Sequence, residues 1–290
     1  MPIPFLSPDD ETTDFPAVES ALQEPNGLLM AGGNLSPRRL LSAYQSGIFP
    51  WYEEGEPILW WSPDPRCILW PEKFKVSRSL RKTISSGRFT LTEDQAFRDV
   101  MINCGKPRVG SAGTWVSNDM IDAYCRLANY GIARSVEVWN GERLAGGLYG
   151  VSLGSVFIGE SMFSAERDAS KVALAHLVSS QRYSLIDCQL ETAHLRSLGA
   201  ETISRKRYLK LLERDGGSNT DLLGLIKKAK KSSAKKGHDE NVIYLPFDAV
   251  ENRNTGANDP AGGDSNKKTS LSSSPLGIRI WVGVCGVTVI

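Results

Sequence analysis

Arg134-Ser-Val-Glu-Val-Trp-Asn-Gly-Glu-Arg-Leu-Ala-Gly-Gly-Leu-Tyr-Gly-Val-Ser-Leu-Gly-Ser-Val-Phe-Ile-Gly-Glu-Ser-Met-Phe163 is the stretch that decides the fold class. Ser135 to Trp139 alternates apolar and polar residues with the period of two expected of a half-buried strand. Asn140-Gly141 then gives a strong short-range hairpin signal. Leu144 to Leu153 reads as a glycine-rich strand, Gly154-Ser155 as a second turn, and Val156 to Phe163 as a third strand. Further on, Asp168 or Ser170 is placed to cap a helix with apolar positions at Val172, Leu174, Leu177 and Val178. Ser184-Leu-Ile-Asp-Cys-Gln-Leu190 reads as a buried strand carrying a carboxylate and an amide. A meander, a crossover helix and one more strand make an α+β unit with its polar groups near one sheet end.

Alternation across a strand puts Asp187 and Gln189 on one face and Cys188 on the other. The same rule places Glu160 on a face with Ile158 and Met162, a carboxylate in an apolar row that is costly to bury unless paired or used. Pattern alone leaves two readings open. In the structural one, Asp187 caps a turn, Gln189 satisfies loop backbone and Glu160 meets an arginine. In the functional one, the three polar groups form a site.

A length of 290 residues suggests about two domains. The hydrophobic content of 41% and seven Trp supply a packed core, and a net charge of +1 argues against an overall polyelectrolyte partner. Cys67, Cys104, Cys125, Cys188 and Cys285 are scattered, without a CxxC pair, and His176, His194 and His238 are dispersed. That spacing favours a reducing compartment over disulfides and predicts no metal site. Met1 to Glu11 lacks the basic start and apolar core of a secretion signal, so a cytoplasmic protein is expected.

Taken in order, residues 1–65 read as a small N-terminal domain. Ser36 and Pro37 stand as N-cap and first residue of a helix that Gly47 ends and Pro50 cannot continue. Trp60-Trp61-Ser-Pro-Asp-Pro-Arg66 is a stiff connector, its prolines holding their predecessors extended. The dense aromatics at Phe49, Trp51, Tyr52, Trp60, Trp61 and Trp70 suit inter-domain packing first and a base-stacking platform second. Residues 66–215 read as the main domain. A helix from Ser77 carries Arg78, Arg81 and Lys82 on one face, solvated or suited to phosphates. Helical periods follow at Asp94 to Cys104 and Asp119 to Tyr130, with a loop from Gly105 to Gly113 between them. Ala200 to Ile203 then leads to a basic amphipathic run, Arg205 to Arg214. Residues 216–290, lysine-rich and then Gly/Ser/Asn-rich, carry a disorder signature. Their apolar end from Ile278 falls short of the ~20 apolar residues a membrane helix needs.

Several of these words together resemble one family. Gly27 to Trp51, Trp60 to Arg66, Gly159-Glu-Ser-Met-Phe-Ser164, Ala169-Ser-Lys171, Ile186-Asp-Cys-Gln189 and Ser197-Leu-Gly-Ala200 are similar to signatures of the bacterial leucyl/phenylalanyl-tRNA–protein transferases. The resemblance runs from about Pro25 to Leu212, with Asn34 and Ser204 as departures and no counterpart for the tail. It implies an acetyltransferase-like mixed sheet with flanking helices behind a small N-terminal domain. It also implies transfer of Leu, Phe or less well Met from aminoacyl-tRNA to the α-amine of proteins starting with Arg or Lys, marking them for degradation.

Such a reaction is aminolysis of an ester, which needs positioning, a proton route and oxyanion support but no metal, cofactor or nucleophilic side chain. The resemblance places Asp187 and Gln189 at the catalytic centre, Asp187 orienting Gln189, with Glu160 attracting the cationic acceptor terminus. By motif position Leu148, Phe157, Leu177 and Ile186 resemble the lining of an apolar side-chain pocket, with ordinary core as the alternative. Trp51 and Trp115 match tryptophans near the terminal adenosine, and Arg78, Arg81 and Lys82 are candidates for acceptor-stem phosphates. Two rivals are an acyl-CoA-dependent N-acyltransferase, for which Phe163-Ser-Ala-Glu-Arg-Asp168 lacks a glycine-rich pyrophosphate loop, and a non-enzymatic RNA-binding module.

Overall fold

In a computed structural model, which describes residues 3–10, 12–106, 116–217 and 224, the chain opens on a four-stranded sheet. Its elements are β1 (Phe5–Leu6), β2 (Leu28–Gly32), helix α1 (Pro37–Gln45), β3 (Phe49–Pro50) and β4 (Leu59–Trp61), with strand order β1-β2-β4-β3. Helix α1 starts as its sequence dictates: Ser36 Oγ accepts the Arg39 N–H at 3.3 Å and Pro37 takes the first helical position. It ends before Gly47, where φ is +71° and an added Cβ would lie 2.6 Å from Leu209 Cδ2. Glycine there both turns the chain and admits a later helix.

The second sheet starts at Arg66. Its elements are β5 (Arg66–Leu69), α2 (Arg78–Ser85), β6 (Thr90–Glu93), α3 (Phe97–Cys104), α4 (Asn118–Asn129), β7 (Ala133–Asn140), β8 (Arg143–Leu153) and β9 (Val156–Ser164). They continue through α5 (Ala169–Ser179), β10 (Leu185–Gln189), α6 (Ala193–Ser197), β11 (Glu201–Ile203) and α7 (Arg205–Asp215). Seven strands lie in the order β11-β5-β10-β9-β8-β7-β6. The expected meander is β7-β8-β9, antiparallel throughout, and α5 returns the chain so that β10 runs parallel to β9. Among the described residues the architecture is thus mixed α/β, with two sheets and seven helices.

Local chemistry sets most helix starts. Ser77, Ser117, Thr192 and Ser204 each accept the N–H three residues on, from Leu80, Met120, Leu195 and Arg207. Helix α5 corrects the sequence expectation. Asp168 precedes it in a left-handed conformation, φ +67°, and its side chain does not cap the helix. The carboxylate instead meets Thr83 Oγ1 at 3.3 Å and Lys171 Nζ at 3.3 Å, while Ser164 Oγ accepts the Ser170 N–H. Ser170 lies inside the helix, and Val178 is only half-buried. Helix α3 starts at Phe97 rather than Asp94, because the Asp94 carboxylate is engaged by the Ser135 N–H and Arg134.

Helices cover both faces of the large sheet. One face packs Leu153, Val156, Ile158 and Leu185 with α1, α3, α4 and α7, and joins the N-terminal sheet in one core. The other packs Leu148, Phe157, Met162 and Ile186 with α2, α5 and α6. Phe49, Trp60 and Trp61 are buried in the first core, with Trp51, Tyr52 and Trp70 packed against it, so the aromatic cluster joins the two sheets.

A bulge interrupts β9. Ser161 opposes Tyr149 and Gly159 opposes Gly150, leaving Glu160 as the extra residue. Alternation inverts there, so Ile158 belongs to the first core and Met162 to the second. Strict alternation had put both beside Glu160; the bulge leaves it on the Ile158 side. Trp115 and most of the expected loop 105–113 and tail 216–290 lie outside the described residues. No helix among the described residues is long and apolar enough to cross a membrane.

An added Cβ at Gly150 would stand 2.3 Å from the Ile158 carbonyl oxygen and 2.7 Å from the Phe157 ring. Gly150→Ala should therefore lose about 1–3 kcal/mol of stability in urea unfolding. Gly141, with open space around its Cβ position and φ +60°, should lose less on the same change.

Candidate active site

Asp187 ends the ladder between β9 and β10, which spans only Leu185↔Val156, Ile186↔Phe157 and Asp187↔Ile158. From there β9 continues to Ser164 and β10 turns away at Gln189, whose φ is +59°. A non-glycine residue in that region carries strain that its surroundings must hold. Asp187 does so: its Oδ1 accepts the Gln189 N–H at 2.9 Å.

The rest of Asp187 is committed to a buried ion pair. Arg66 Nε donates to Oδ1 at 2.8 Å and Nη2 to Oδ2 at 2.6 Å, both residues being at most 1% exposed. Tyr208 Oη donates to Oδ2 at 2.7 Å. Phe49 and Tyr208 rings lie 4.8 and 4.6 Å from the guanidinium, and Arg66 Nη1 reaches the Gly47 carbonyl at 3.1 Å. Burial works to depress the Arg66 pKa, yet the Asp187 charge beside it holds it above its ordinary value. Burial, then Asp187, raise the Tyr208 phenol.

Glu160 faces the same side without a cation in hydrogen-bond contact. It accepts from Tyr44 Oη at 2.8 Å and Gln189 Nε2 at 3.0 Å on Oε1, and from Tyr124 Oη at 3.0 Å on Oε2. The two tyrosine hydroxyls also touch each other. Burial pushes the Glu160 pKa up to about 7, against the lowering effect of both tyrosines. The Gln189 amide nitrogen is thereby fixed towards Glu160, which leaves Oε1 as the end that can accept from a substrate. Asp187 and Gln189 do share a face, but Asp187 holds the glutamine main chain rather than its amide. Cys188 falls in the opposite core with Cys67.

The arrangement sets a carboxylate and an amide across the parting of two parallel strands, inside an apolar shell. It presents hydrogen-bond acceptors of both kinds, a carboxylate and an amide oxygen, on one side of the sheet. Among the described residues no group of three or more His, Cys, Asp or Glu is placed to hold a metal ion.

Comparison with known proteins fixes the family. The leucyl/phenylalanyl-tRNA protein transferase family matches residues 68–213, and its N-terminal domain matches residues 33–64. A leucyl/phenylalanyl-tRNA–protein transferase of Chromobacterium violaceum is 53% identical over 214 residues, 73% of this chain and 91% of that one. One from Nitrosomonas europaea is 55% identical over 203 residues, 69% of this chain and 86% of that one. The chain belongs to the leucyl/phenylalanyl-tRNA protein transferase family. It is an aminoacyltransferase. A solved structure of a Bacteroides thetaiotaomicron protein of unknown function aligns at TM-score 0.33 and 10% identity, over 62% of this chain and 67% of that one, too slight to carry an argument.

Both carboxylates and Gln189 lie within the segment matched by the transferase family. Leu148, Phe157, Leu177 and Ile186 come together in the second core, fully buried, on the opposite face of the sheet from Asp187, Gln189 and Glu160. Trp51 is half-buried, its ring 5.7 Å from Trp61, and Trp115 lies outside the described residues. Arg78, Arg81 and Lys82 are exposed on α2. Sequence reasoning missed Arg66, Tyr208, Tyr44 and Tyr124. One signal was available for Arg66: a charge opening the apolar run Cys67-Ile-Leu69 needs a buried partner.

Two stability effects follow. Asp187→Asn leaves Arg66 buried with its charge uncompensated and should cost about 3–5 kcal/mol in chemical unfolding. Glu160 acts oppositely, because its folded pKa of about 7 exceeds the ordinary 4.5. Between those values the folded chain keeps a proton that the unfolded chain has lost, so this carboxyl's contribution to stability declines as pH rises through that window. Glu160→Gln removes the decline. Its melting temperature relative to the parent should therefore rise from about pH 5 to about pH 8. A constant difference would contradict the assignment.

Proposed function

We propose that the protein transfers leucine, phenylalanine and, less well, methionine from aminoacyl-tRNA to the α-amine of proteins beginning with Arg or Lys, marking them for degradation. The observation that carries the reading is the Glu160–Gln189 bridge across the parting of β9 and β10. It supplies an acceptor for an incoming amine and a negative charge for a cationic terminus.

In this reading residues 66–215 form an acetyltransferase-like catalytic domain, completed by an N-terminal domain of residues 1–65. The ester carbonyl lies near Gln189, whose Oε1 accepts from the amine, while Asp187 keeps the glutamine main chain in place. The donor's apolar side chain enters between β9 and β10 towards Leu148, Phe157, Leu177 and Ile186. A γ-branched or unbranched chain fits such a slot, and a β-branched one meets its wall. Trp51 and Trp115 flank the terminal adenosine, and Arg78, Arg81 and Lys82 meet acceptor-stem phosphates. Reaction takes place in the cytoplasm.

Radiolabelled leucine should pass from charged tRNA to a peptide starting with Arg, with acetyl-CoA inert. Label incorporation that survives ribonuclease treatment of the donor, or that requires a CoA thioester, would overturn the reading. Replacing Arg78, Arg81 and Lys82 together by Ala should weaken tRNA binding and flatten its salt dependence, leaving turnover at saturating tRNA near that of the parent. A chain ending at Gly217 keeps the Asp215 carbonyl that accepts the Ser155 N–H and should retain activity.

A further inference from the structure

Asp187 and Glu160 are both buried carboxylates on one face of the sheet, yet only one retains room for a new hydrogen bond. An ionised carboxylate offers about four acceptor positions. Asp187 has all of them filled, by Arg66 Nε and the Gln189 N–H on Oδ1, and by Arg66 Nη2 and Tyr208 Oη on Oδ2. To take a proton it must break a bidentate ion pair that water does not reach. Glu160 has three filled, and the open position is on Oε2, the oxygen bonded to Tyr124 alone.

A second observation marks the same place. The Tyr149 hydroxyl is fully buried without a hydrogen-bond partner. Its ring lies 5.9 Å from that of Tyr124, and burial followed by the Glu160 charge raises its phenol well above the ordinary value. The open Oε2 position of Glu160 and the orphaned Tyr149 hydroxyl are two unsatisfied hydrogen-bonding groups in the buried surroundings of Tyr124.

We infer that Glu160, rather than Asp187, is the base that takes the proton from the acceptor's α-amine, with Tyr44 and Tyr124 as its positioning residues. This rests on the aminoacyl-transfer reading above. As the amine nitrogen bonds to the ester carbonyl carbon, its proton passes to Glu160 Oε2. As the bond from that carbon to the ribose oxygen breaks, Glu160 returns the proton to the departing oxygen. Ester and amine become amide and hydroxyl, with no other reactant. The groups around Glu160 suit a carboxyl that cycles: neutral Tyr44 from α1, Tyr124 from α4 and Tyr149 from β8, with the Arg66–Asp187 pair and Tyr208 behind Gln189. A pKa of about 7 lets it accept and release a proton near neutrality.

The test is single-turnover transfer of leucine from leucyl-tRNA to a saturating Arg-initiated peptide, followed over pH. The parent rate should fall about tenfold per pH unit below about pH 7. Glu160→Gln should lower the rate by about a hundredfold or more and flatten that limb. Tyr124→Phe removes a donor to the carboxylate and should move the limb to higher pH, whereas a limb set by the peptide amine would stay in place. A flat parent profile, an unmoved limb in Tyr124→Phe, or a limb abolished by Asp187→Asn but kept in Glu160→Gln each overturns the assignment. If Glu160→Gln does not fold, the position of the Tyr124→Phe limb decides. Failure of the parent to transfer leucine at all would instead remove the reading on which this rests.

Discussion

A guanidinium taken out of water costs several kcal/mol unless a partner and its remaining donors are satisfied together. Arg66 meets that condition by drawing on four separate parts of the chain. Asp187 comes from β10, Tyr208 from α7, Phe49 from β3, and the Gly47 carbonyl from the turn after α1. No one of these contacts is strong by itself in water, but all must form at once for the charge to be buried. The N-terminal sheet, the central strands and the last helix are therefore held in one arrangement by a single side chain. Gly47 shows how tight that arrangement is: the carbonyl that receives Arg66 and the Cα that lets Leu209 approach belong to the same residue.

That anchor is what makes the strand parting useful. Beyond Ile158 and Asp187 the parallel pair no longer shares a ladder, and Gln189 turns into a left-handed conformation that its own side chain does not favour. The Asp187 carboxylate pins the turn through the glutamine N–H. On the other side of the gap the β9 bulge leaves Glu160 on the same face, next to the paired Gly159 and Gly150, and any Cβ at Gly150 would meet the Ile158 carbonyl and the Phe157 ring. Two local irregularities, each unfavourable in an isolated sheet, are joined by the one hydrogen bond from Gln189 to Glu160.

The meander was legible because its signals are local: a period of two, an Asn-Gly turn, a Gly-Ser turn. The serine cap at Ser36 was legible for the same reason, as was the helix starting near Ser77. Asp168 was not, since a carboxylate before a helix reads as a cap whether or not its backbone permits one. The shared face of Glu160 and Ile158 was legible, whereas Met162 falls on the other face because a bulge adds one residue to a strand without any residue type to mark it. Asp187, Gln189 and Glu160 stood out as polar groups in apolar strands, whereas Tyr44, Tyr124 and Tyr208 did not. A tyrosine on a helix face reads as core, and only the three-dimensional meeting of α1, α4 and α7 with the sheet turns those phenols into donors. Family resemblance pointed to the end of β10, but it did not show that Asp187 is engaged by an arginine.

Charge balance then separates the two carboxylates. Asp187 is neutralised by Arg66 at hydrogen-bond distance, so the pair adds no net charge to the site. Glu160 has only neutral donors in hydrogen-bond contact, two phenols and an amide, which lower the cost of its ionisation without cancelling it. The buried site therefore carries one uncompensated negative charge when Glu160 is ionised and none when it is protonated. An ammonium entering beside it finds its counter-charge already in place, and the two groups together are neutral. In the proposed transfer that ammonium first loses one proton to solvent, and as the neutral amine attacks, its next proton passes to ionised Glu160 and from there to the departing ribose oxygen. Two carboxylates on one face of the sheet are thus placed in different surroundings, a cation in one case and neutral hydroxyls in the other.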